Sequence, residues 1–217
     1  MKKNLGTPPF EDDFPVVGKH GFPQLAQTNF LPEKPIRSIN YLKSTEDRKN
    51  YWFHCFTDDK NFHRIYNVFK DYLELLKQTK GLISADFSLF RDYDEQVLID
   101  NCRANRMIDY AVQQAGIPMI PTAGFAGESS WEWCFDGLPK NSTVAITTNT
   151  VRDPEAKRLF VGGVNTMIKK IHPTAIVVCG KFPDWIQKRF PDIQVIKIPN
   201  YSEQWHAREK NKSKGGK

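Results

Sequence analysis

The chain has 217 residues, of which 40% are hydrophobic and 26% are charged, and these values exclude wholesale disorder and are typical of one globular domain. The longest apolar run, Ala175–Cys179, has five residues, too few for a signal peptide or a membrane span, so we expect a cytoplasmic protein. The formal net charge is +6, but the opening lysines carry +2 and the residues from 206 onward carry +4, so the body between them is neutral.

The two ends of the chain differ from its body in composition. Residues 1–35 carry six of the fourteen prolines, which excludes regular helix there. We expect these residues to form an extended arm that wraps over the body and is anchored by phenylalanines, namely Phe10, Phe14, Phe22 and Phe30. Residues 201–217 form a basic tail, which is either solvated and disordered or a non-specific contact for the phosphates of nucleic acid.

Six predicted strands alternate with four predicted helices between the arm and the tail. Apolar and β-branched runs predict strands at Tyr51–Thr57, Leu82–Asp86, Pro118–Pro121, Thr143–Thr148, Ala175–Cys179 and Ile193–Ile198. Apolar residues at steps of three and four predict helices over about 59–80, 94–115, 153–171 and 183–190. Asp59 and Asp153 stand at N-cap positions, and Pro154 follows in the first turn of its helix.

This alternation indicates the class of fold. Strands that are connected by helices pair in parallel, because the connection must cross back over the sheet and needs a dozen or more residues. The sequence therefore predicts a single α/β domain over residues 36–200, built of repeated strand–helix units around a mainly parallel sheet. An incomplete barrel of the TIM kind is the alternative, since two more strands can be drawn in the arm.

The four cysteines are Cys55, Cys102, Cys134 and Cys179, and no two of them form a C-x-x-C pair. This spacing is typical of free thiols that are buried as small hydrophobic groups in a reducing compartment. A catalytic thiol is the alternative. The apolar runs around Cys55 and Cys179 disfavour it, because such surroundings disfavour the thiolate.

Three carboxylates stand at the ends of predicted strands, Asp58 and Asp59 after the first and Asp86 after the second. The carboxyl ends of parallel strands are where ligands gather in α/β folds. Carboxylates within a few ångströms of each other act as general acid and base, or hold a hard cation, so these three are the candidate catalytic residues and a divalent metal is the cofactor left open. Capping of the following helices is the alternative interpretation.

Eight further residues are candidate ligand-binding residues, because they follow strand ends, lie in the glycine- and tryptophan-rich segment 124–137, or flank Asn101 on the long helix. They are Ser88, Thr122, Thr148 and Asn149 at strand ends, Glu128 and Trp131 in the segment, and Arg103 and Arg106 on the helix. His54 alternates with Trp52 and Phe56, so the three side chains point to the same face, and His54 is a core histidine or, alternatively, a ligand. The motifs of common nucleotide-binding loops, metalloproteases and esterases do not occur, so the sequence leaves open whether the chain is an enzyme.

Several longer stretches carry a resemblance to a known family. They are FHCFTDD, LISADFSLFRD, NCRANRMIDYAVQQAGIPMIP, CFDGLPKNSTVAITT and MIKKIHPTAIVVCG, spread between about Phe22 and Ile198. Together they resemble the family catalogued as domain of unknown function 4417, whose members are small proteins of phages, plasmids and the bacteria that carry them. The resemblance implies an origin in a mobile genetic element and a bacterial host cell, and it supplies no mechanism. It also implies that the distinctive positions are Asp86, Phe87, Ser88, Arg103, Arg106, Asp136 and Gly137.

Two hypotheses about function follow. The first is that an α/β protein binds a small phosphate-bearing ligand or a nucleotide, with or without metal-assisted chemistry, at the carboxyl ends of its strands. The second is that a non-enzymatic mobile-element protein binds DNA or a host protein through the arm, the tail and exposed aromatic residues. The neutral body disfavours tight DNA binding, whereas binding to a protein requires no net charge.

Overall fold

A computed structural model describes residues 13–181, 183–200 and 203, without the side chains of residues 62–64. Within these residues the strands are β1 Val16–Val17, β2 Phe22–Pro23, β3 Ile36–Ser38, β4 Trp52–His54, β5 Gly81–Ile83, β6 Met119–Ile120, β7 Thr143–Thr147, β8 Ala175–Cys179 and β9 Gln194–Ile198. The α-helices are α1 Asp59–Asn67, α2 Phe69–Leu76, α3 Glu95–Gln114, α4 Pro154–Ile171 and α5 Asp184–Arg189.

Seven of the strands form two parallel sheets that follow one another in chain order. Strands β3, β4, β5 and β6 form the first sheet, and β7, β8 and β9 form the second. The sheets meet at one parallel bridge between Thr122 and Ala145, where the Ala123 N–H donates to the Ala145 carbonyl at 2.8 Å. The predicted parallel α/β fold is confirmed, and the described strands do not close into a barrel.

Both faces of the parallel sheets are buried, which explains why the strand sequences are almost continuously apolar. In β8, Ile176 and Val178 pack in the cluster that includes residues of α4, whereas Val177 and Cys179 pack in a cluster on the opposite face. The α1, α2 and α3 side of the first sheet has its own apolar cluster. The helices therefore cover one face, and the strand residues of the other face pack mainly on each other.

The prediction of one continuous helix over 59–80 is wrong. The structure divides it into α1 and α2 at Val68, whose backbone lies at φ −126° and ψ 43°. A β-branched residue has a low helix propensity, and the break lets Tyr66 and Phe69, on either side of it, both reach the core. Gly81, which follows the predicted helix, is the first residue of β5. The start of α4 is confirmed, with Asp153 as N-cap and Pro154 in the first turn.

The arm crosses α3 and then reaches the seam between the two sheets. Strands β1 and β2 form a hairpin, and the buried Phe22 packs with Trp133 at a ring distance of 6.1 Å. The Leu25 N–H donates to the Gly137 carbonyl at 2.9 Å, and the Thr143 N–H donates to the Thr28 carbonyl at 2.9 Å.

Not every expected anchor of the arm is buried. Phe30 is 48% exposed, so the expectation that it anchors the arm is wrong. Phe10, the first twelve residues and the tail apart from Glu203 lie outside the described residues.

The four cysteines are free and buried, as the sequence predicts. Burial raises the pKa of each thiol, which disfavours the thiolate. None of the described helices is long and apolar enough to span a bilayer.

Candidate functional site

A cleft of about 630 Å³ opens at the carboxyl ends of β5, β6 and β7. Its walls come from four parts of the chain, and its lining residues are 86, 88–92, 122–126, 146–147, 150–153, 156 and 159–160. The cleft lies over the seam, because Thr122 follows β6 and Ile146 belongs to β7 of the neighbouring sheet. Crevices at the carboxyl ends of parallel strands are the usual place for ligands in α/β proteins.

Asp86 lies on the floor of the cleft and is only partly exposed. Burial raises the pKa of this carboxyl to about 7, and the nearby charge of Asp59 raises it further in the same direction. Both effects disfavour the charged form, the first through the loss of hydration and the second through repulsion between carboxylates. Asp86 therefore exchanges its proton near neutral pH.

Asp59 is held beside this floor by Ser88. The Ser88 N–H donates to the Asp59 carboxylate at 3.2 Å, and the Ser88 hydroxyl donates to the same oxygen at 2.8 Å. The Ser88 carbonyl in turn accepts a hydrogen bond of 2.8 Å from the side-chain amide of Asn101 on α3. The side-chain oxygen of Asn105, also on α3, accepts from the Phe87 N–H at 2.8 Å. Two asparagines of one helix thus fix the segment that follows β5.

Asp59 is not the N-cap of α1, so that expectation is wrong. Asp58 takes the N-cap position and makes no capping hydrogen bond through its side chain. Instead, its exposed carboxylate lies 3.4 Å from the Lys60 ammonium. The two adjacent aspartates therefore differ: Asp59 points to Ser88 and the cleft floor, whereas Asp58 lies on the surface.

Arg106 supports the cleft from behind. It is 1% exposed and donates to the carbonyls of Thr122 at 3.2 Å, Cys134 at 3.0 Å and Asp136 at 3.3 Å. Asp109 lies 4.0 Å from this guanidinium, and burial raises the pKa of its carboxyl well above the ordinary range. Arg106 does not line the cleft, but it joins the end of β6 to the segment that holds the arm.

The rim of the cleft carries most of its charges. The Arg91 guanidinium makes two hydrogen bonds to the Asp153 carboxylate, each of 3.2 Å, and both side chains are about half exposed. Asp153 also accepts from the Ala156 N–H at 2.8 Å, so it caps α4 at the same time. Arg152 lies beside this pair on the rim and is exposed.

The remaining candidate residues lie apart from the cleft. Arg103 donates to the His20 carbonyl of the arm, Glu128 pairs with Arg158, and the Trp131 ring occupies the space beside Gly162. Thr148 donates to the Lys181 carbonyl at 3.0 Å, and Asn149 accepts from the Asn200 side-chain amide. The structure thus brings Asp86, Ser88 and Thr122 together in the cleft lining, with Asp59 bound to Ser88 beside them. Arg106 contacts the Thr122 carbonyl from behind, and the candidates that do not line the cleft are Asp58, Arg103, Glu128, Trp131, Thr148 and Asn149.

Several lining residues were missed by sequence reasoning, notably Arg91, Phe160, Thr147 and Arg152. Arg91 and Arg152 stand in loops with no helical or strand periodicity, so no pattern marks them. Thr147 and Thr148 are adjacent, and successive side chains of a strand point to opposite faces. The sequence pattern at a strand end does not show which of the two threonines faces the cleft. The sequence around Asp153 has the pattern of a helix cap, and this pattern does not indicate that Asp153 also lines a cleft.

A metal and His54 were the other open candidates. Among the described residues, no three His, Cys, Asp or Glu side chains are grouped so that they could hold a metal ion. His54 is fully buried, and burial lowers its pKa to about 4. Its ring stacks on Phe56 at 6.0 Å. These surroundings are those of a neutral core histidine.

Comparisons with known proteins agree with the resemblance in the sequence. The chain is similar to the Gene 1 protein of Mycobacterium phage D29, with 25% identity over 203 residues that cover 92% of this chain and 73% of the phage protein. It is also similar to the Gene 1 protein of Mycobacterium phage L5, with 27% identity over 200 residues that cover 91% and 85%. No solved structure gives a significant match. The model of the family described as Domain of unknown function (DUF4417) matches residues 14–200, and the chain belongs to this phage-associated family.

Proposed function

We propose that the chain binds a small phosphate-bearing ligand, a class that includes nucleotides, in the cleft, and that Asp86 acts on it as a general acid or base. The observation that carries the proposal is the position of Asp86 on the floor of a cleft of about 630 Å³, with its pKa raised to about 7. A cleft of this volume is typical of small-molecule sites.

The raised pKa of Asp86 suits proton transfer. A group whose pKa lies near the working pH is present in both its acidic and its basic form, which is the best condition for general acid–base catalysis. Carboxyl groups with perturbed pKa values are frequent in the clefts of functional sites. Their burial disfavours the folded state, so it persists where it serves the binding of a ligand. Asp59 contributes by position: Ser88 holds its carboxylate where it raises the pKa of Asp86.

The rim supports recognition of an anionic group. Arg91 and Arg152 supply guanidinium groups, which form charge-assisted hydrogen bonds with phosphate oxygens. The first turn of α4 also lies at the cleft, but its Ala156 N–H already donates to the Asp153 carboxylate, so the negative charge that a helix amino terminus favours is supplied by the chain itself. The rim also carries Asp92 and Asp153, so individual guanidinium groups, and not a net positive charge, would bind the anionic group.

The same proposal has two forms, one in which a divalent metal takes part and one without a metal. Mg²⁺ is commonly held by one or two carboxylates together with phosphate oxygens and water. Asp86 lines the cleft and Asp59 lies beside it, bound to Ser88, so a phosphate-bearing ligand would have to complete the coordination.

A thermal-shift screen tests the proposal. The full chain is heated with nucleotides, sugar phosphates and inorganic phosphate, each with and without MgCl₂, and with the dephosphorylated compounds as controls. A ligand at about 100 times its dissociation constant stabilises the fold by roughly 2.7 kcal/mol, which raises the melting temperature of a chain of this size by several degrees.

Two aspartate variants decide where the ligand binds. We expect Asp86→Asn to remove or reduce the shift, and Asp58→Asn, which changes an exposed aspartate away from the cleft, to keep it. The proposal is overturned if no phosphate-bearing compound shifts the melting temperature, or if both variants lose the shift equally.

A further inference from the structure

The arrangement of apolar, polar and charged groups in the cleft indicates which end of the ligand lies inside it and which end lies at the rim. We infer that the ligand is a free nucleoside 5′-phosphate, with its base inside the cleft and its phosphate at the rim. This inference rests on the proposed function and narrows it from phosphate-bearing compounds in general to those that carry a flat heteroaromatic ring.

The inner walls of the cleft are aromatic and aliphatic. Phe125 and Phe160 come from different segments, and their ring centroids lie 6.0 Å apart. Phe125 is tightly seated, since a Cβ atom on Gly163 would lie 2.3 Å from its ring. Apolar walls favour the faces of a planar ring, whereas the hydroxyl groups of a sugar lose hydration there without gaining partners.

Polar groups lie at the floor, where the edge of such a ring would reach. Thr122 and Thr147 each donate their hydroxyl proton to a backbone carbonyl, of Ser84 and Cys179 respectively, at 3.3 Å. Each oxygen keeps a lone pair that accepts a further hydrogen bond, although the Thr147 oxygen already accepts from the Asn149 N–H at 3.2 Å. Asp86 accepts when it is ionised and donates when it is protonated. A nucleobase edge, which carries both donors and acceptors, matches this floor.

The cations stand at the outer end of the cleft. The Arg91 side chain is 48% exposed, and Arg152 is an exposed residue, while Thr122 on the floor is 1% exposed. Phe90, 40% exposed, also lies on the rim, with Tyr93 against it edge-on at 5.2 Å. The cleft is therefore apolar with a polar floor inside, and its outer end carries the guanidinium groups of Arg91 and Arg152 beside the carboxylates of Asp92 and Asp153. A nucleotide that enters base first would bring its phosphate to these arginines.

A binding assay separates the parts of the ligand. The full chain is titrated calorimetrically with the 5′-monophosphates of adenosine, guanosine, cytidine and uridine, with the corresponding nucleosides, with ribose 5-phosphate, and with six-residue single strands of each base. We expect one monophosphate to bind at least about tenfold more tightly than each of three compounds. These are the corresponding nucleoside, ribose 5-phosphate, and the six-residue strand of the same base.

Variants then test the direction of binding. Arg152→Ala should lower the affinity for the tightest-binding monophosphate by about tenfold and leave the affinity for its nucleoside unchanged. The reason is that the arginine is expected to contact only the phosphate. Lys157→Ala, an exposed cation of α4 that does not line the cleft, should leave both affinities unchanged. Thr147→Val, which keeps the side-chain shape, should alter the preference among the four bases.

The outcomes separate the inference from the proposed function. If ribose 5-phosphate binds as tightly as every monophosphate, or if Arg152→Ala weakens nucleoside and monophosphate equally, the inference fails while phosphate binding stands. If a six-residue strand binds more tightly than its monophosphate, the ligand is a nucleic-acid strand and not a free nucleotide. If no phosphate-bearing compound binds at all, the proposed function itself fails.

Discussion

Ser88 holds Asp59 through two hydrogen bonds, one from its backbone N–H and one from its hydroxyl. The residue that supplies both donors follows β5, and the acceptor begins α1 after β4, so the contact bridges neighbouring strand ends. It holds the Asp59 carboxylate close to Asp86, and the charge of Asp59 raises the pKa of Asp86. The acidity of the cleft floor therefore depends on a neighbour of Asp86 as well as on its burial.

Removal of the Asp59 charge should lower the pKa of Asp86. In Asp59→Asn, the pKa should fall from about 7 towards the ordinary value but not reach it, because burial is the larger cause of the shift. A ¹³C NMR titration of the side-chain carboxyl of Asp86 measures the change. Asp58→Asn removes a charge from the preceding residue on the surface and serves as the control. An unchanged pKa in Asp59→Asn would contradict the role given to that charge.

The raised pKa of Asp86 also makes stability depend on pH. Between pH 3.8 and about 7 the folded protein keeps a proton that the unfolded chain releases, so the free energy of unfolding falls as pH rises through this window. Asp86→Asn does not titrate and should be more stable than wild type above pH 7. The three-unit shift sets an upper bound of roughly 4 kcal/mol, which contact with cleft water reduces.

Urea unfolding at pH 5 and pH 8 measures this effect. The difference between Asp86→Asn and wild type should be larger at pH 8 than at pH 5. Asp58→Asn controls for the loss of an exposed carboxylate. A difference that is the same at both pH values would mean that Asp86 is not the titrating group.

The pair of Arg91 and Asp153 predicts how anions compete at the rim. Asp153→Ser keeps a side chain that caps α4 but releases Arg91 and removes a negative charge. We expect the affinity for nucleoside 5′-monophosphates to increase several-fold, because the phosphate no longer displaces a carboxylate. Titration calorimetry measures this gain, and Arg91→Ala should show the reverse. Weaker binding in Asp153→Ser would indicate that the rim prefers a cationic group.

The contact between the arm and Gly137 should be sensitive to one added methyl group. Gly137 has φ +79°, and a Cβ atom there would lie 2.3 Å from the Pro23 carbonyl oxygen. Gly137→Ala should therefore lower the free energy of unfolding by about 2–4 kcal/mol, from backbone strain and from displacement of the arm. Denaturant unfolding measures the loss.

Two other glycines separate these causes. Gly116 has φ +71° with no heavy atom within 4 Å of a Cβ, so Gly116→Ala reports strain alone. Gly127 has φ −73° and equally open space, so Gly127→Ala should be close to neutral. If Gly137→Ala is no worse than Gly116→Ala, the close approach of the arm contributes nothing to stability.

Much of the fold is readable in the sequence, because parallel strands and their covering helices have strong patterns. The strand of residues 175–179 and the helix that begins after Asp153 lie where the sequence predicts them. The break at Val68 was not predictable from periodicity, since the apolar stripe continues through it. A stripe records which residues face the core and does not record a local change of backbone direction.

The candidate site was predictable in part. Parallel strands bring their carboxyl ends to one edge, and Asp86 and Thr122, which the strand-end rule selects, both line the cleft. The rule says nothing about which way a side chain turns, and Arg103 and Arg106, three residues apart on α3, reach backbone carbonyls behind the cleft. Contacts from distant loops, such as Arg91 with Asp153, have no local pattern at all.

The bonds between Thr28 and Ser142 have a consequence for the order of events during synthesis. The Thr28 N–H donates to the Ser142 hydroxyl, 114 residues further along the chain, so the early segment leaves the ribosome long before its partner exists. At about 5–20 residues per second, this interval lasts roughly 6–23 s. During that time the arm cannot bind the segment around Ser142, because this segment has not been synthesised. Its apolar groups are accessible to chaperones and proteases while the rest of the domain is translated.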